Sequence, residues 1–180
     1  MIATPESVLT FWRTSGPDKW FEKDTAFDDA IRAQFLETYQ AAAAGKLSDW
    51  EQTAEGALAL TLVLDQFPRN MFRGDARTYA ADPQALAVAK RAIERGFDQK
   101  MALSDRQFFY LPFEHSEALA DQERSCELCR LTGDADLLKW AELHADIIRR
   151  FGRFPHRNAA LGRATAPEEQ AFLDADGFKG

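Results

Sequence analysis

Apolar residues recur three and four positions apart along most of the chain, and no alternating stretch of strand length interrupts them. Thr4-Pro5-Glu6 supplies an N-cap, a proline at the first helical position and an acid in the first turn. It opens a segment carrying Val8, Leu9, Phe11 and Trp12, which Gly16-Pro17 ends. Asp24 then caps a longer segment with Phe27, Ile31, Phe35 and Tyr39 at helical spacing, closed by Gly45. Ser48-Asp-Trp-Glu51 has the form of a capping box and predicts the start of a third long helix. That helix becomes apolar on every side over Ala57–Leu64, the pattern of an element buried all round.

The second half is punctuated in the same way. Asp82-Pro83 opens a helix with Leu86, Ala89 and Ile93 on one face, and Gly96-Phe97 closes it. Ser104-Asp-Arg-Gln107 reads as another capping box, leading through Phe108, Phe109 and Leu111 to Pro112. Ser116 precedes a helix that Gly133 stops, and Glu117 falls in its expected first turn. Asp134 or Asp136 caps a segment with Leu137, Trp140, Ala141, His144, Ile148 and Phe151, and Thr165-Ala-Pro-Glu168 opens a short closing helix. The expected fold is all-α, made of about seven to nine helices in antiparallel pairs within a single domain over residues 1–180. Trp12, Trp20, Trp50 and Trp140 all read as core.

Composition narrows the function classes. A net charge of −7 and a pI near 5.0 argue against nucleic-acid or membrane-surface partners. The longest run without charge or strong polarity, Ala57–Leu64, is far shorter than the roughly 20 residues a membrane span needs. No signal peptide is evident at Met1–Glu6, and two cysteines three positions apart suit a reducing cytoplasm, so a cytoplasmic protein is expected. Cys126 and Cys129 read as small apolar residues inside a helix. No phosphate loop, dinucleotide fingerprint, nucleophile elbow or zinc spacing occurs, and no cofactor is expected.

Arginine changes the picture. Of 15 arginines, 8 lie in two windows, 69–77 and 149–163, and the second window contains no acid. Each window holds an echo of the other: Asp65-Gln-Phe-Pro-Arg-Asn-Met-Phe-Arg-Gly74 and Arg150-Phe-Gly-Arg-Phe-Pro-His-Arg-Asn158. Proline restricts both itself and its predecessor, so both echoes are expected at helix exits, with Asn70 and Asn158 shaping turns. Asp65 sits where the helix dipole disfavours its charge and calls for a cation, Arg69 being nearest.

These echoes, together with Leu111-Pro-Phe-Glu-His-Ser-Glu117, resemble the bacterial family catalogued as domain of unknown function 924. Val8-Leu-Thr-Phe-Trp12 and Thr165–Leu173 extend the resemblance over nearly the whole chain. It implies a helical fold similar to tetratricopeptide-repeat proteins and carries no established activity, substrate or cofactor.

Three functional readings follow. In the first, Arg69, Arg73, Arg153 and Arg157 bind an anionic small molecule or acidic peptide in a shared cleft, with Asn70 and Asn158 shaping its walls. Glu114 and Glu117 then fix the arginine rotamers, and His115 and His156 lie beside the ligand. In the second, the protein is a small hydrolase-type enzyme using His115 or His156 as general acid or base. In the third, the arginines are purely structural and the helical surface binds a protein partner. His144, on an apolar face with Ala141, Ile148 and Phe151, reads as a core histidine.

Overall fold

A computed structural model of the chain describes residues 1–175, and these form nine α-helices and four short 3-10 turns with no strand among them. Contacts gather the described residues into two compact units, residues 1–73 with 77–112, and residues 74–76 with those from 113 on.

The first unit holds α1 (Pro5–Ser15), α2 (Pro17–Trp20), α3 (Thr25–Ala43), α4 (Ala54–Met71) and α5 (Asp82–Glu94). The boundary between the units falls inside α6 (Leu103–Glu114), after Pro112. Helix α4 packs against α1, α3 and α5 and against the 3-10 turn Ser48–Gln52. Every residue from Gly56 to Pro68 is buried, as its all-round apolar sequence predicts. Each fully buried Leu or Val there contributes about 1.5–3 kcal/mol of transfer free energy. Around it lies an aromatic cluster in which Trp12 stacks on Trp20 at 5.8 Å and meets Phe108 edge-on at 5.4 Å, while Phe67 packs on Phe35 at 4.9 Å.

The second unit contains α7 (Leu119–Thr132), α8 (Ala135–Phe151) and α9 (Pro167–Asp174), with α7 and α8 packed as a pair. Ile147, Ile148 and Phe154 form a core against which Leu143, Phe151 and Phe172 pack.

Several local expectations need correction. The cap of α4 is Thr53, whose hydroxyl accepts from the Gly56 amide at 3.0 Å, while Ser48 only begins the preceding 3-10 turn. Gly56 permits this because a Cβ there would run into the Trp50 carbonyl. Pro68 and Pro112 lie inside α4 and α6 rather than beyond their ends, each within the last turn, where each removes one backbone N–H that would bond the carbonyl four residues back. Asn70 is therefore helical, and Asn158 is right-handed too, with φ −57° and ψ −47°. Ser104 forms no capping box, since α6 begins at Leu103 and Gln107 donates to the Ser104 carbonyl instead. Helix α7 starts at Leu119, which leaves Glu117 outside its first turn. Trp140 is 50 % exposed, one step off the buried face of Ala141, His144, Ala145 and Ile148.

The position of the α4 cap is testable by urea unfolding. Thr53→Ala is expected to lower stability by about 1 kcal/mol, as loss of an N-cap does. Ser48→Ala is expected to change it by less than about 0.5 kcal/mol, as surface substitutions do. Equal losses from the two would refute this assignment.

Candidate functional site

The C-terminal end of α4 concentrates charge that the rest of the helix excludes. Asp65 is fully buried, accepts from the Gln66 side chain at 2.6 Å and lies 3.3 Å from Arg69 Nη1, the partner expected from its spacing. Arg69 also grips Asp82 at the start of α5 through two parallel bonds of 2.9 and 3.0 Å. Burial opposes the Arg69 charge, yet Asp65 and Asp82 hold its pKa above the ordinary value. One turn on, Arg73 binds Asp28 of α3 at 2.6 and 3.1 Å, and Asn70 donates to the same carboxylate at 2.7 Å. The first Phe-Pro motif thus ties α4 to α3 through Asp28 and to α5 through Asp82.

Beside these ties the first unit has a cleft of about 330 Å³ lined by Arg32, Leu36, Tyr39, Gln40, Phe72 and Arg77. The four α3 residues fall at spacings of four, seven and eight, which is one helical face. Phe72 follows the last residue of α4, and its ring lies 5.5 Å from that of Tyr39. The Arg77 guanidinium covers Phe72 at 4.6 Å from the ring centre. Arg32 donates to the Met71 carbonyl, an α4 terminus acceptor. Burial, then nearby Asp82, raise the Tyr39 pKa while Arg77 lowers it, so the phenol is a neutral donor at neutral pH.

The second motif is built differently. Arg153 holds Glu169 of α9 through bonds of 2.6 and 2.8 Å, and Asn158 donates to Glu169 at 3.1 Å. Glu117 receives Arg163 at 2.8 and 3.0 Å and the Phe154 amide at 2.8 Å. Burial works against the Glu117 charge, but Arg163 and that amide hold its pKa below the ordinary carboxylate value. Arg157 is buried, with its guanidinium 4.4 Å from the Phe154 ring centre.

All three histidines of the chain lie in this unit, two of them against Phe154. His144 and His156 approach its ring at 5.8 and 5.5 Å, and His115 lies 6.4 Å from His144. The His144 Nδ1 faces the Trp140 carbonyl at 2.8 Å and the buried Glu114 carboxylate at 3.5 Å, an arrangement that orients the imidazole. His144 is itself buried, whereas His115 and His156 are half-buried. Burial pushes the Cys129 thiol, beside Glu114, up to about 12, so it is an inert neutral group. No group of three or more histidines, cysteines and carboxylates among the described residues is placed to hold a metal ion. No helix among them is long and apolar enough to cross a membrane.

Arg69, Asn70 and Arg73 come together at the end of α4 in the first unit, while Glu114, His115, Glu117, Arg153, His156, Arg157 and Asn158 belong to the second. Sequence reasoning missed Arg32, Gln40, Phe72 and Arg77 as cleft residues. The signal available was the 32-36-39-40 spacing, one face of α3 that carries two polar heads beside Leu36 and Tyr39. It also missed the acids Asp28, Asp82 and Glu169.

Residues 8–177 match the bacterial protein family of unknown function DUF924, and the chain belongs to that family. It is also similar to the solved structure of the protein of unknown function ATU0120 from Agrobacterium tumefaciens, with 49 % identity and a TM-score of 0.92 over 95 % of this chain and 97 % of that one. No curated protein matches it.

The second motif carries an acid-stability prediction. Arg153 above all holds the Glu169 carboxyl down to about 2, against an ordinary 4.5. A depressed folded-state pKa stabilises fully above the unfolded value, and that contribution disappears as pH falls from 4.5 towards 2. Urea unfolding should therefore separate wild type from Glu169→Gln at pH 7 and bring them together as pH falls through that window. A gap independent of pH would contradict this role.

Proposed function

We propose that this member of the family binds a small anionic molecule in the first unit's cleft. One observation carries the reading. The Arg32 guanidinium is spent on a carbonyl and has no carboxylate partner among the described residues, whereas Arg69, Arg73, Arg153 and Arg163 each hold one. A guanidinium has five N–H donors, so one bond to Met71 leaves Arg32 ample capacity for an anion.

The electrostatic balance supports it. The C-terminal end of α4 opposes an anion with about half a negative charge. Arg32 and Arg77 line the same cleft, and Asp82, the carboxylate that acts on Tyr39, is itself held by Arg69. The neutral Tyr39 phenol and the Gln40 amide add donors without repulsion. A volume of about 330 Å³ lies at the lower end of the roughly 300–1,000 Å³ usual for small-molecule sites.

In this reading Arg69, Asn70 and Arg73 frame the cleft instead of touching the ligand. They tie α3 and α5 to the end of α4, from which Phe72 and the Met71 carbonyl project. Arg153, Glu117 and Asn158 brace the second unit in the same manner.

Thermal unfolding with inorganic phosphate, citrate and phenyl phosphate tests the proposal. A ligand at one hundred times its dissociation constant adds about 2.7 kcal/mol. For a chain of this size that is a midpoint rise of about 5–10 °C. The rise is expected for at least one anion in wild type and is expected to vanish in Arg32→Gln, a substitution at an exposed position. No rise with any anion, or an equal rise in Arg32→Gln, would overturn the proposal.

A further inference from the structure

We infer that the ligand of this cleft joins its anionic group to a planar aromatic ring, in the manner of an aryl phosphate. The inference rests on the anion-binding reading of the same cleft and adds the body of the ligand to its charge.

Size comes first. The cleft's volume of about 330 Å³ corresponds to about ten waters at roughly 30 Å³ each. A bare phosphate or carboxylate occupies only a small part of that space and leaves the remainder hydrated. The remainder is not a surface that suits water, because Leu36, Tyr39 and Phe72 supply apolar wall. Covering that wall with the ligand's own apolar body releases the water and adds affinity in proportion to the area removed from solvent.

The character of the wall then selects the body. Two of its three apolar side chains are aromatic, with ring centres 5.5 Å apart at an interplanar angle of 58°. Burial holds both in place while they line the cleft. A flat ring packed against them gains an aromatic pair interaction beyond the area it buries, which a saturated ring of equal size lacks. Arg77 already lies on Phe72 at 4.6 Å, so a guanidinium at this cleft is in use as a π partner. Arg77 is exposed and lines the cleft, which places this guanidinium beside the space a ligand ring would fill. The division of labour follows: Arg32 takes the anion, the Tyr39–Phe72 wall and Arg77 take the ring, and the Gln40 amide reads the edge.

The test is calorimetric titration at fixed ionic strength with inorganic phosphate, cyclohexyl phosphate, phenyl phosphate and phenol. Phenyl phosphate is expected to bind at least about tenfold tighter than inorganic phosphate. It is expected to exceed cyclohexyl phosphate about threefold or more, on the scale of one aromatic contact. Phe72→Leu should collapse the phenyl-to-cyclohexyl ratio while retaining inorganic phosphate. Arg77→Leu, at an exposed position, reads the same ratio should Phe72→Leu fail to fold. If inorganic phosphate equals phenyl phosphate and both are lost in Arg32→Gln, the ring inference is overturned and the anion site stands. Equal binding of cyclohexyl and phenyl phosphate also overturns it, leaving only an apolar body. If none of the phosphates binds, or phenol binds as tightly as phenyl phosphate, the anion reading itself falls.

Discussion

A helix buried on every side can carry charge only near its ends, and α4 meets that constraint at its C-terminal turn. Within about a turn and a half of Asp65 the chain places Gln66, Arg69 and Asn70, and Arg73 follows just past the helix end. A carboxylate as buried as Asp65 survives only when paired, because desolvating a lone ion costs several kcal/mol. The pairing here spreads beyond a single bridge. Arg69 links Asp65 to Asp82, and Arg73 with Asn70 grips Asp28, so neighbouring helices are tied to the same end of α4. Removing one partner of such a buried pair strands the other, a loss of about 3–5 kcal/mol. Hydrophobic burial makes α4 central to its unit, and the guanidinium–carboxylate ties set where α3 and α5 meet it.

The same logic explains which features were legible in the sequence. Thr4, Asp24 and Asp134 were readable as caps because a cap is satisfied within three residues of itself. Thr53 was not, since Ser48 offered an equally good local pattern five residues earlier. What decides between them is the approach of the Trp50 carbonyl to Gly56, a contact made only once the 3-10 turn folds back. Asp65 and Arg69 are four apart, so their pairing could be read from helical geometry. Asp28 and Arg73 are 45 residues apart, and Arg153 and Glu169 are 16 apart across a helix end, where no local rule applies. The apolar count of α8 was right, but its period left room for Trp140 on either side of the buried stripe, and it lies outside.

Both motifs turn surplus arginine into internal connections, by different routes. The first acts from within a helix, where Pro68 costs one hydrogen-bond donor in the final turn and Arg69 bonds the Asp65 carbonyl at 2.7 Å. The second acts from the chain after α8, where Gly152 takes the left-handed conformation with φ 68° and Phe154 turns inward. Arg163 and Glu117 then close around the Phe154 backbone, accepting its amide and donating to its carbonyl. Their likeness in sequence goes with a shared task, securing a helix terminus with different partners.

That distinction relocates the search for a ligand. Guanidinium density marks the motifs, yet density is a poor guide when Arg69, Arg73, Arg153 and Arg163 each face a carboxylate at hydrogen-bond distance. Such a pair presents a nearly neutral, fully bonded surface, and an incoming anion would have to displace an intramolecular partner that pays no translational cost to stay. A lone arginine that borrows only a carbonyl keeps both its charge and most of its donors. Arg32 is such a group, and it sits where the motif's own ties have fixed the opposite wall. In the proposed binding mode the motif residues act through the position of Phe72 and the Met71 carbonyl, while Arg32, Tyr39, Phe72 and Arg77 line the space the ligand would fill.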